Sequence, residues 1–109
     1  MLVIWAWLRP WLFLESWLLL ARVSLNFRIM NPALILLPGL DGTGRLFSDF
    51  VAALGPEADV VVVSYPTDQC LSYHELVAFV RPFLPRDRPY VILAESFSGP
   101  IGIALAASA

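Results

Sequence analysis

Residues 90–102 read Tyr90-Val91-Ile92-Leu93-Ala94-Glu95-Ser96-Phe97-Ser98-Gly99-Pro100-Ile101-Gly102. An apolar run of strand length passes through a cluster of small residues into a helix-compatible, alanine-rich segment over residues 100–108. That is the shape of a nucleophile elbow with Ser96 at its tip. A serine on a tight strand-to-helix turn sits in strained backbone geometry, which demands small residues two before and two after it. Ala94 and Ser98 fill those places and Gly99 follows, a relaxed A-x-S-x-S-G form of the pattern. The plainer alternative is a serine that caps the helix beginning near Pro100.

A second element lies upstream. Residues 33–37 (Ala-Leu-Ile-Leu-Leu) form another apolar run of strand length and lead into Pro38-Gly39-Leu40-Asp41-Gly42-Thr43-Gly44. Apolar residues at 46, 47, 50, 51 and 54 then recur at helical spacing. A glycine-rich turn between strand and helix lets backbone N–H groups face a ligand without side chains in the way. In a serine hydrolase such a turn supplies one oxyanion donor, and the residue after the nucleophile supplies the other.

In this order, with a βα unit between them, the two elements resemble the N-terminal part of an α/β-hydrolase over residues 31–109. The turn Pro38–Gly44 is most similar to the esterase/lipase and acyltransferase-like branch, where proline can replace the more usual histidine before the glycine. The resemblance implies that Ser96 is the nucleophile and that the backbone N–H groups of Leu40 and Phe97 form the oxyanion hole. It implies an ester-type acyl substrate, no cofactor and no metal. The implied fold class is α/β: a partial α/β-hydrolase fold, mostly parallel sheet with flanking helices, preceded by an apolar N-terminal helix.

Composition narrows the function classes. At 109 residues the chain holds at most one domain, and 59% hydrophobic content is high for a soluble one. A net charge of −2 gives no electrostatic case for nucleic-acid binding. All seven basic residues are arginines, so a phosphate loop of the Walker type lacks its lysine. The lone Cys70 excludes an internal disulfide and a multi-cysteine zinc site, and reads as a small loop or helix-edge residue.

Two segments are visible. Residues 1–29 carry Trp5, Trp7, Trp11 and Trp17 among leucines, but Arg9, Pro10 and Glu15 interrupt the apolar run. They read as an interfacial anchor, a signal-like segment, a packed helix, or an extension upstream of a true start at Met30. The corresponding localisation is cytoplasmic, with membrane-surface contact if residues 1–29 act as an anchor. Residues 30–109 alternate strand and helix. Asp59–Tyr65 contains four consecutive valines and predicts a strand buried on both faces. Residues 72–84 predict a helix with Ser72 as N-cap and Glu75 completing a capping box. Short connections between such elements imply a parallel sheet with helices on its faces.

Gly39-x-x-Gly42-x-Gly44 invites a dinucleotide reading, but the following strand ends at Ser64-Tyr65 without the acid that would hold a ribose. Asp41 and Thr43 read as structural residues that cap the next helix, with contact to a bound acyl group as the alternative. Glu95 reads as a surface or hydrogen-bonding residue facing away from the nucleophile, and Ser98 as a small packing residue. His74 precedes Ser96, whereas the triad of this fold runs serine, acid, histidine, so His74 is the wrong histidine. No Asp, Glu or His follows Ser96. The expectation is therefore an N-terminal portion of a hydrolase domain, inactive as it stands, whose strand over residues 90–93 presents an open apolar edge. Two alternatives remain: an acyltransferase of the same fold, and a non-catalytic membrane-associated remnant.

Overall fold

The computed structural model describes residues 32–108 and the backbone of residues 3–6. Its strands are β1 (Val3–Ala6), β2 (Ala33–Leu37), β3 (Val60–Val62) and β4 (Tyr90–Glu95). All pair in parallel in the order β1-β4-β2-β3. The helices are α1 (Ser48–Leu54), α2 (Tyr73–Val80) and α3 (Gly99–Ala107), with short 3-10 turns at Arg45–Phe47, Arg81–Phe83 and Ser96–Ser98. The α/β arrangement of a parallel sheet with flanking helices is as the sequence implies.

Alternation along the two central strands divides the core between the faces of the sheet. On one face Ala33, Ile35, Leu37, Ile92 and Ala94 pack with Leu76 and Val80 of α2 and Ile101 and Leu105 of α3. On the other, Leu36 and Leu93 pack with Phe47 and Phe50 around α1. The helix that follows β2 and the helix that follows β4 therefore lie on opposite faces, although these two strands are neighbours. Such a divergence opens a crevice at the C-terminal strand ends, the usual ligand position in open parallel sheets.

Three expectations are corrected. Residues 3–6 form a strand and not the start of an apolar helix; the rest of the expected N-terminal helix, residues 7–29, lies outside the described residues. That strand pairs Val3 to Ala6 with Ile92 to Glu95, so β4 has a neighbour on each side and no open edge. The third concerns β3. It spans only Val60–Val62 and is not buried on both faces: Val63 is inaccessible while Val62 is 39% exposed. The reason is position, since β3 is the edge strand and a run of valines does not encode whether a sheet continues beside it. The capping box is present, with Ser72 N–H donating to Glu75 Oε2 (2.7 Å) and Glu75 N–H to Ser72 Oγ (3.2 Å).

The turn from β2 to α1 needs glycine for two separable reasons. Gly42 and Gly44 both take left-handed backbone, with φ of 70° and 72°. Around Gly42 there is room for a Cβ, whereas at Gly44 a Cβ would lie 2.5 Å from Val62 Cγ1 and 3.2 Å from Val63 O. Gly42→Ala is therefore expected to cost about 1–2 kcal/mol, the left-handed penalty alone. Gly44→Ala adds overpacking and should cost at least about 1 kcal/mol more. Urea denaturation of the two variants checks this, and equal losses would contradict it.

Candidate functional site

Ser96 is the first residue after β4 and has φ of 41°, the only non-glycine positive φ among the described residues. A serine in that region is strained by roughly 1–2 kcal/mol relative to ordinary backbone. Its side chain is exposed, and it is not the N-cap of either following element: Glu95 holds that place for the 3-10 turn and Ser98 for α3. The alternative of an ordinary helix-capping serine is thus not met at Ser96.

The glycine-rich turn is fastened beside it from two directions. Gly42 N–H donates to Gly39 O (3.0 Å) and closes the turn, and Tyr65 N–H donates to Gly42 O (2.8 Å), tying the turn to the chain leaving β3. From the elbow side, Ser98 Oγ donates to the Pro38 carbonyl. With its one proton committed there, Ser98 Oγ accepts from the Tyr65 hydroxyl at 2.5 Å. Ser98 is fully buried and Tyr65 nearly so. Burial, only partly offset by the bond to Ser98, pushes the Tyr65 hydroxyl up to about 12, so it is a neutral donor at physiological pH.

The same Pro38–Gly39 peptide meets Glu95 at its other end. A Cβ on Gly39 would lie 3.2 Å from Glu95 Cδ and 3.4 Å from each carboxylate oxygen. Burial raises the pKa of half-buried Glu95, the nearby Asp41 carboxylate adds to the rise, and the Gly39 N–H opposes it. Glu95, read from the sequence as a surface or hydrogen-bonding residue, has its carboxylate against the glycine turn.

The other predicted residues fall into place around this centre. Leu40 is at the tip of the turn with its side chain 85% exposed. Phe97 stands in the first turn after Ser96, where N–H groups have no intrahelical acceptor. Its ring packs edge-on to Tyr65 (6.3 Å) and stacks on Tyr73 (5.2 Å, 30°). Thr43 Oγ1 donates to Asp41 and accepts from Arg45 N–H (3.3 Å), which favours the structural reading of both residues. His74, in the first turn of α2, lines a shallow groove with Val77, Arg81, Pro100 and Ala104 and has no hydrogen bond to Ser96. Cys70 is an exposed loop residue. Among the described residues no group of three or more His, Cys, Asp or Glu is placed to hold a metal, and no helix is long and apolar enough to cross a membrane.

Two site residues escape the sequence reading. Ser98, expected only to pack, is a buried hydrogen-bonding clamp, and Tyr65 gives no sequence signal of its role. The available hint is that the position two after the elbow serine holds a serine and not the smaller glycine. Comparison with family models, with curated proteins and with solved structures finds no match to this chain.

Tyr65→Phe should cost about 1 kcal/mol, one hydrogen bond, because Ser98 keeps its bond to Pro38. Ser98→Ala should cost more, up to about 3 kcal/mol, since both the Pro38 carbonyl and the Tyr65 hydroxyl lose their partner in a buried setting. Ultraviolet titration should show one tyrosine ionising near pH 12, absent in Tyr65→Phe. A raised folded-state pKa means that stability is intact below pH 10 and declines as pH rises toward 12. Tyr65→Phe should flatten that decline; an unchanged alkaline limb would contradict the assignment.

Proposed function

We propose that this chain carries the nucleophile and oxyanion-binding part of a serine acyl hydrolase of the α/β-hydrolase type, acting on carboxylic esters. The observation that carries the reading is the strained, exposed Ser96 at φ 41°. It stands at the C-terminal end of a parallel strand, beside a glycine turn anchored to its own elbow. Strain retained in a serine that makes no cap is characteristic of a residue placed for chemistry.

In this reading Ser96 Oγ attacks the ester carbonyl carbon, and the carbonyl π electrons move onto oxygen. The N–H groups of Leu40 and Phe97 stabilise that oxyanion, and each such donor is typically worth about 3–4 kcal/mol in the transition state. Collapse expels the alcohol and leaves an acyl-serine, which water hydrolyses. A base must accept the Ser96 proton. His74 is not placed to do so, and residues 97–109 contain no Asp, Glu or His. In this reading the chain contributes the nucleophile and the oxyanion donors.

A fluorophosphonate probe tests this with the chain as it is, because imidazole in solution can stand in for the base. Labelling is expected on the peptide containing Ser96, to rise about tenfold or more with imidazole, and to vanish in Ser96→Ala. Ser96→Gly should abolish labelling yet gain about 1 kcal/mol of stability by relieving the left-handed backbone. Labelling that survives Ser96→Ala, or a Ser96→Gly variant less stable than wild type, would overturn the reading.

A further inference from the structure

The position of the glycine turn is held by hydroxyl groups on one side, and on the other it meets a charge. Glu95 is the last residue of β4, immediately before Ser96, and its carboxylate fills the space where a Gly39 side chain would stand. Gly39 does not have positive φ, and a Cβ there would crowd this carboxylate, which would have to give by a few tenths of an ångström. Gly39 and Asp41 flank Leu40 in the closed turn. The ionised Glu95 attracts the Gly39 N–H and repels the Asp41 carboxylate, two opposed forces on the two neighbours of Leu40. Asp41 is the charged group that acts on Glu95, and Gly39 N–H is the backbone donor that faces it.

We propose that Glu95 is a charge-dependent positioning residue for the glycine turn: its ionised carboxylate, seated on Gly39, holds the start of the turn from which the Leu40 N–H follows. The proposal deepens the serine-hydrolase reading and rests on it for the role of Leu40. Glu95 does not touch the reacting atoms in this scheme; it acts through the backbone. Burial makes the ionised form costly, so the charge is retained at the expense of stability. By the same sign, a neutral isostere is expected to fold at least as well at neutral pH, because the penalty builds up as pH rises from the ordinary glutamate value and is complete above the raised folded-state one.

The test is a pH titration of the Gly39 and Leu40 amide resonances by NMR, in wild type and in Glu95→Gln, Glu95→Ala and Asp41→Asn. Both resonances should move together through a midpoint above 4.5, the ordinary glutamate value. The step should disappear in Glu95→Gln and Glu95→Ala, and its midpoint should fall in Asp41→Asn. Resonances that ignore pH in this range, or that titrate equally in Glu95→Gln, would overturn the proposal. Fluorophosphonate labelling with imidazole reads the parent hypothesis separately. Labelling of Ser96 should be about tenfold slower in Glu95→Gln than in wild type at neutral pH, and the ratio should approach one as pH drops through the Glu95 midpoint. A ratio of one at all pH values, with Ser96 labelled normally, refutes the positioning role and leaves the serine reading intact. Absence of labelling in wild type strikes the serine reading, while the amide titration still decides whether Glu95 positions the turn.

Discussion

One buried relay, from the Tyr65 hydroxyl to Ser98 Oγ to the Pro38 carbonyl, joins three separate strand ends at one point. Tyr65 follows β3, Pro38 follows β2 and Ser98 follows β4, so no two of these residues share a connection. The relay adds a side-chain anchor to the two backbone bonds that close and tie the turn, Gly42 N–H to Gly39 O and Tyr65 N–H to Gly42 O, in a segment rich in glycine, the residue with most conformational freedom to lose. A buried carbonyl left without a donor costs about 1–3 kcal/mol, which is also the penalty for any rearrangement that pulls the turn from the elbow. Serine at position 98 provides both halves of the relay: it is small enough for the first turn after the elbow and still carries a hydroxyl. Glycine there would fit the backbone and lose the bond.

The fold explains why such a junction arises where it does. β2 and β4 are adjacent and parallel, yet their following helices depart to opposite faces, so their C-terminal ends border an open crevice. Next to the relay, the Phe97 ring packs edge-on to Tyr65 and stacks on Tyr73. What remains exposed is Ser96 and the tip of the glycine turn, with the half-buried Glu95 carboxylate against Gly39. The one left-handed non-glycine backbone among the described residues, at Ser96, lies there, above the buried relay.

What could be read from the sequence follows a physical division. Features set by local geometry were legible: the capping box at Ser72 and Glu75, the two central strands, and the elbow, because each depends on residues within a few positions of one another. The Tyr65–Ser98 contact spans 33 positions and exists only once β3, β2 and β4 are ordered in the sheet. Val62 was misread because a four-valine run has no alternation to tell an edge strand from a central one. Val3–Ala6 was misread for a related reason: in a continuously apolar stretch nothing marks strand from helix. Glu95 was legible as polar and hydrogen-bonding, but its direction depends on which way the turn after β2 folds back.

The central claim is that Tyr65 and Ser98 act as one unit in holding the turn, and a double-mutant cycle measures that directly. Tyr65→Phe, Ser98→Ala and the double variant are compared with wild type by urea denaturation. The account predicts a coupling of about 1 kcal/mol or more, with the double variant losing clearly less than the sum of the two single losses. Strictly additive losses would mean that the two hydroxyls contribute independently, and the relay would no longer explain how the glycine turn is held beside Ser96.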